Sequence, residues 1–208
     1  MSDNKLKLYT FPLSGHAHRA ELALSLLGVD YEAITLDLAG GEQRSDWYKE
    51  INSAGVVPAL VDGETFITES TAILTYLAAK FDDGTWLPKD AENAAHVAKW
   101  FARASAGLAA GPAAARLITV FGAGFDPEVT AEKAHTFLAF LEAELEGKDF
   151  LVAGRPTFAD VAIYSYTAHA PEGYISLDNY TNIRRWIAAI EALPGFVGMS
   201  KTEVAAAA

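Results

Sequence analysis

The stretch Gly55-Val56-Val57-Pro58-Ala59-Leu60-Val61-Asp62-Gly63-Glu64-Thr65-Phe66-Ile67-Thr68-Glu69-Ser70 decides the fold. Pro58 cannot donate a ladder hydrogen bond, so it marks a strand start or an edge. Asp62-Gly63 between two apolar runs predicts a hairpin with a type I′ turn, whose central residues need positive φ. A helix should begin at Thr68-Glu69-Ser70, because Ala72, Ile73, Leu74, Leu77 and Ala78 follow at helical spacing. The proline holds Val57 extended. If the Val57-Pro58 bond is cis, the Val57 N–H and C=O can turn out of the sheet and pair with a peptide-like ligand as an added strand. Glu69-Ser70 lies one hairpin away, at a helix N-terminus whose free N–H groups attract an anion. Such a groove can hold a small peptide by backbone and carboxylate, with Glu69 meeting its ammonium. An ordinary hairpin followed by a helix cap has the same local pattern.

Working outward, residues 5–11 alternate at period two and form a first strand, broken by Pro12-Leu13-Ser14-Gly15. A helix is expected from His16 to Leu27, ended by Gly28, and a second strand from Tyr31 to Leu36. Strand, helix, strand favours a parallel right-handed crossover. Ser45-Asp46 can cap a short helix through Ile51. The order β-α-β-α-β-β-α over residues 1–81 is an α/β sandwich on a mixed sheet. Asp82-Asp83-Gly84 and Leu87-Pro88 interrupt the chain, and residues 89–208 read as an all-helical domain. Its helices are expected at residues 90–121, from Asp126-Pro127-Glu128 to Glu146, from Thr157, and from Thr181 to Leu193. Thr157 and Asp160 are spaced as a capping box. The tail from Val204 to Ala208 should fray. Gly122-Ala123-Gly124 lacks the third glycine and the strand context of a nucleotide loop.

Composition narrows the function. The formal charge is −11 over 208 residues. Six Lys/Arg face eleven Asp/Glu in residues 1–80, and ten face sixteen in the rest, so acidity is spread evenly. Nucleic acid and anionic membrane are poor partners for that surface. No apolar run of transmembrane length and no signal-peptide core are visible, which predicts a cytoplasmic protein. Cysteine is absent. The protein therefore supplies no thiol, and sulfur chemistry needs a ligand that brings the sulfur.

The β-α-β-α-β-β-α order, the Val57-Pro58 edge, the run Glu69-Ser70-Thr71-Ala72-Ile73-Leu74, the helical second half and Thr157-Phe158-Ala159-Asp160 together resemble a cytosolic glutathione transferase. The resemblance spans nearly the whole chain and is closest to bacterial, serine-type members (phi, tau, zeta, theta-like). It implies a thioredoxin-like N-terminal domain followed by an all-helical C-terminal domain, glutathione as co-substrate, no metal, and a homodimer. Within the loop between the first strand and the following helix, which carries the catalytic group in that family, the candidates are Ser14 and His16; no Tyr or Cys occupies the loop. A serine hydroxyl before a helix N-terminus can donate to a thiolate, with the helix dipole acting in the same sense. Lowering a thiol pKa from about 8.5 by about two units needs roughly 2.7 kcal/mol, within reach of a charge-assisted hydrogen bond plus a helix terminus. Ser14 read plainly is an N-cap, and His16 read plainly is filler. His16 and His18 point to different helix faces and make a poor metal pair. Arg19 is expected to pack or to pair with an acid.

The resemblance places the cysteinyl backbone of glutathione on Val57 and Pro58, and its γ-glutamyl end on Glu69 and Ser70. Gln43 and Arg44 fall where the glycine carboxylate is held; Arg44 can make a forked contact, while neutral Gln43 weakens it. Leu13, Arg103 and Leu108 are candidates to line the pocket for a small hydrophobic electrophile. Gly107, Gly111 and the alanines around them either leave room for a ligand or let another helix approach, and Pro112 should kink the helix. The expected activity is conjugation of the glutathione thiolate to an electrophile. Isomerisation or peroxide reduction by the same thiolate, and a non-catalytic interaction module on the same fold, are the rivals.

Overall fold

The computed structural model describes residues 5–204. Residues 205–208, part of the tail expected to fray, lie outside the described residues. The chain divides into two units. One holds the described residues up to Gly84 together with Pro194–Met199; the other holds Thr85–Leu193 and the described residues from Ser200. Residues 194–199 were expected with the helical domain and instead belong to the first unit. There the Ser25 hydroxyl donates to the Gly195 carbonyl at 2.7 Å, and His18 Nε2 lies 2.8 Å from the Val197 carbonyl.

The first unit is a four-stranded sheet, β1 (Leu6–Thr10), β2 (Tyr31–Thr35), β3 (Ala59–Asp62) and β4 (Thr65–Thr68), in the order β2-β1-β3-β4. β1 runs parallel to β2, with Leu8 opposite Ala33, and antiparallel to β3, with Leu8 opposite Leu60. The alternation of β1 is realised: Leu6, Leu8 and Thr10 are buried and Lys7 is exposed. Helices α1 (Gly15–Leu26), α2 (Asp46–Lys49) and α3 (Ser70–Phe81) complete the unit. The hairpin departs from expectation by one residue. Asp62 pairs with Thr65, so the turn residues are Gly63 and Glu64, and only Gly63 has positive φ (62°). That belongs to the type II′ class, with glycine first, and not to type I′. Asp62 closes β3, and Tyr76 and Lys80 of α3 both donate to its carboxylate.

The second unit is helical. α4 (Ala91–Arg103), a π-helical stretch (Ala104–Ala113) and α5 (Ala114–Phe121) form one continuous rod, followed by α6 (Pro127–Glu144), α7 (Phe158–Ala168) and α8 (Thr181–Glu191). The rod is long and apolar enough to cross a membrane by length and composition, which the sequence alone did not suggest. Its apolarity has a local explanation, because Trp100, Ala104, Leu108 and Ala113 to Ala115 are buried within the unit. Pro112 is accommodated by the wider π turn, one of the recognised ways to pass a missing N–H. The alternatives left open for Gly111 are decided here. A Cβ on Gly111 would lie 2.7 Å from the Ala134 backbone, so this glycine lets α6 approach rather than leaving space for a ligand.

The capping box is present. Asp160 Oδ2 accepts from the Thr157 N–H at 2.9 Å and from its hydroxyl at 3.1 Å. Asp160 Oδ1 accepts from the Leu151 N–H at 3.0 Å and from the Trp186 indole at 2.8 Å. Burial pushes this carboxyl above its ordinary range, and the four donors offset only part of the rise.

Candidate active site

The Val57-Pro58 peptide bond is cis. The Val57 side chain packs with Ala17, Leu36, Tyr48 and Ala59, and Tyr9, Phe11, Leu38 and Ile51 flank that cluster. Its outer side borders a cavity of about 200 Å³ lined by His16, Val56, Val57, Pro58, Glu69 and Ser70. Five of these six were expected site residues, drawn together from three separate segments of the sequence. Ser14, Leu13, Gln43 and Arg44 do not line that cavity.

Glu69 precedes α3 with φ 67°, a conformation that non-glycine residues adopt rarely and mostly where the surroundings impose it. Its exposed side chain makes no capping hydrogen bond, so the first-turn N–H groups of α3 are not spent on it. An uncapped helix start beside a free carboxylate suits a zwitterionic ligand end: anion to the amides, ammonium to Glu69.

His16, Arg19 and Ser70 form the polar centre. Arg19 is buried, at 1% exposure, and its Nη1 donates to His16 Nδ1 at 2.9 Å and to Ser70 Oγ at 3.1 Å. Guanidinium can only donate, so His16 Nδ1 accepts and the imidazole proton sits on Nε2. Burial, and secondarily the Arg19 charge, lower the His16 pKa to about 3. His16 is therefore a neutral donor, not a general acid or base at neutral pH. In the unfolded chain the same imidazole protonates near pH 6.5. Its contribution to stability is thus present above pH 6.5 and is lost as pH falls towards 3. We expect NMR titration to show no protonation step for His16 between pH 5 and 8; a step near 6.5 would contradict the Arg19 contact.

Ser14 is the N-cap of α1. Its Oγ accepts from the Ala17 N–H at 3.2 Å, which leaves its own O–H to donate. His18 faces Val197, away from the His16 contacts. Gln43 Nε2 donates to the Leu38 carbonyl at 3.3 Å, so its donor holds the loop. Gly55 has φ 62°, and a Cβ there would lie 3.0 Å from the Gln43 carbonyl. The Glu42–Arg44 turn is thereby tied to the residues just before Val57, with the Arg44 side chain exposed. In the second unit, Arg103 lies 4.4 Å over the Phe140 ring and borders a larger cavity, about 720 Å³, with Gly107 and Phe137. Leu108, expected as lining, is fully buried and is a core residue.

Arg19 is the residue that sequence reasoning undervalued. His16 and Arg19 are three apart on one helix, a spacing that puts them side by side. Nothing in the sequence points to Ser70 as the third member.

The glutathione S-transferase N-terminal domain family matches residues 4–79 and the C-terminal domain family matches residues 126–194. A probable maleylacetoacetate isomerase of Caenorhabditis elegans is 31% identical over 95% of this chain and 94% of its own. The chain belongs to the glutathione S-transferase family. Its first unit is the thioredoxin-like N-terminal domain of that family, and its second is the helical C-terminal domain. Glutathione S-transferase Z1 of Arabidopsis thaliana is 47% identical over 88 residues, 42% of this chain and 40% of that protein. The chain spans about two fifths of the length of the first curated relatives it matches. The crystal structure of a possible glutathione S-transferase from Rhodopseudomonas palustris superposes with a TM-score of 0.86 at 28% identity, covering 95% of this chain and 99% of that one.

Proposed function

We propose that this glutathione S-transferase binds glutathione along Val57, ionises its thiol, and adds the thiolate to small hydrophobic electrophiles. The observation that carries the reading is the cavity shared by Val57, Pro58, Glu69, Ser70 and His16 beside an uncapped helix start. The backbone of Val57 meets the cysteinyl residue. Glu69, Ser70 and the α3 amides take the γ-glutamyl zwitterion, and Arg44, with Gln43 beside it, takes the glycine carboxylate. Ser14 donates to the sulfur, and the α1 N-terminus adds in the same sense. Leu13, in the loop before α1, borders the electrophile. Cytoplasmic location and a homodimer belong to the same reading. A second reading, glutathione-dependent isomerisation, is favoured by the near-full-length similarity to a probable maleylacetoacetate isomerase.

Thermal denaturation with and without millimolar glutathione tests the binding step, because a ligand of the native state must raise stability. No shift would leave the non-catalytic module reading standing. Turnover of an activated aryl chloride against that of a cis-enedicarbonyl compound separates conjugation from isomerisation. For Ser14 the informative change is to glycine, which costs an N-cap only a few tenths of a kcal/mol. Ser14→Gly should lower turnover by about 100-fold, as for a lost anion donor. Thiolate absorbance of the bound ligand should then titrate about two units higher. Coincident titrations in wild type and variant would move the role to His16.

A further inference from the structure

Val56 and Val57 share a peptide unit, and a peptide unit is rigid and planar. Whatever fixes the Val56 carbonyl therefore fixes the Val57 amide. Two side chains converge on that carbonyl oxygen: the Tyr48 hydroxyl at 2.8 Å and Asn52 Nδ2 at 2.7 Å. Both are buried, Tyr48 completely and Asn52 to 3% exposure. Neither is loosely held. The Tyr48 ring packs 5.6 Å from the rings of Tyr9 and Trp47. Asn52 Oδ1 accepts from the Ala54 N–H at 3.1 Å, its backbone N–H donates to the Tyr48 carbonyl at 2.8 Å, and its carbonyl accepts from Gly55 at 2.9 Å. The two donors fill both lone pairs of a single backbone carbonyl and so fix the plane of its peptide unit.

We propose that Tyr48 and Asn52 are positioning residues for glutathione capture, aiming the Val57 N–H at the ligand by gripping the carbonyl on the other side of the same amide. The proposal rests on the reading of the Val57 cavity as the glutathione site. The Val56-Val57 bond is trans, since the only cis bond among the described residues is the next one. In a trans amide N–H and C=O point in opposite directions. The Val57 N–H is therefore turned away from Tyr48 and Asn52, and Val57 borders the cavity. Two accepted hydrogen bonds also polarise the amide and strengthen its N–H as a donor. Burial pushes the Tyr48 phenol up to about 12, so the clamp keeps its proton throughout the neutral range.

Tyr48→Phe keeps the ring and removes one donor. Asn52→Asp keeps the acceptor for Ala54 and replaces the other donor by an oxygen facing the Val56 carbonyl. Each should raise KM for glutathione about tenfold, the scale of one well-placed hydrogen bond, with kcat and the electrophile KM within about twofold. In the ligand-free variants the Val57 amide resonance should move and its hydrogen exchange should quicken. An unmoved Val57 amide in folded Tyr48→Phe overturns the clamp, and so does a loss confined to kcat. A wild-type protein that shows no stabilisation by millimolar glutathione overturns the ligand reading instead, while the ligand-free amide still reports on the clamp.

Discussion

Arg19→Leu is expected to lower stability by about 3–4 kcal/mol and to weaken glutathione binding at least tenfold. Leucine fills much of the same volume, so the loss is chiefly electrostatic. Two hydrogen bonds from a charged donor disappear, and two acceptors, the part-buried His16 Nδ1 and the buried Ser70 Oγ, are left without their Arg19 donor. Hydrogen bonds to charged groups contribute about 1.5–3 kcal/mol each. Relief of the buried guanidinium's own desolvation offsets part of this. In a chain of this size the net change corresponds to a melting temperature lower by about 6–16 °C. Binding weakens because Ser70 and His16 lose the group that sets their orientation at the cavity. The variant also carries a spectroscopic signature. Without the guanidinium charge, His16 should titrate at a higher pH than in wild type, burial alone then holding it down. An Arg19→Leu protein with unaltered melting temperature and unaltered glutathione affinity would remove Arg19 from the centre of the site.

The second large effect is expected at Asp160. Its carboxylate accepts from Leu151, twice from Thr157 and from Trp186, at 1% exposure. Asp160→Ala leaves four donors without their acceptor, and each buried unsatisfied group costs about 1–3 kcal/mol. Partial repacking and water entry reduce the sum, so a loss of about 4–6 kcal/mol is expected, a large share of the stability of a typical domain. Asp160→Asn should fall between the two. It keeps the shape and one acceptor but turns an N–H₂ towards a donor. Chemical denaturation followed by circular dichroism measures both. A change below about 1 kcal/mol for Asp160→Ala would mean that the four contacts do not hold α7.

How far the sequence carried this description differs by element. The Val57-Pro58 edge, the two-stranded hairpin and the start of α3 were legible because proline, Asp-Gly and helical spacing each have a local cause. The turn register was not, because Asp62-Gly63 and Gly63-Glu64 both fit a two-residue hairpin. In the fold Asp62 is the last residue of β3 and meets Tyr76 and Lys80, more than a dozen residues away. Residues 104–113 read as a kinked helix, since propensity counts alanine, glycine and proline singly. The π turns accommodate Pro112, and the close approach of α6 to Gly111 beside it is a contact that no local window contains. Leu108 read as lining, whereas in the fold it is fully buried. Tyr48 and Asn52 carried no signal at all. Their common partner is a main-chain carbonyl, and main-chain atoms have no letter in a sequence.

The return of Pro194–Met199 to the first unit has a consequence for what counts as a part of this molecule. In covalent terms the two units interleave: the chain leaves the α/β unit after Gly84, comes back to it for Pro194–Met199, and leaves it again at Ser200. A gene fragment ending near residue 84 would carry Ser25 and His18 without the Gly195 and Val197 carbonyls that they meet in the intact chain. The chain crosses between the units three times, after residues 84, 193 and 199, and a spliced gene joining residue 84 directly to 194–199 is the shortest minimal version of the first.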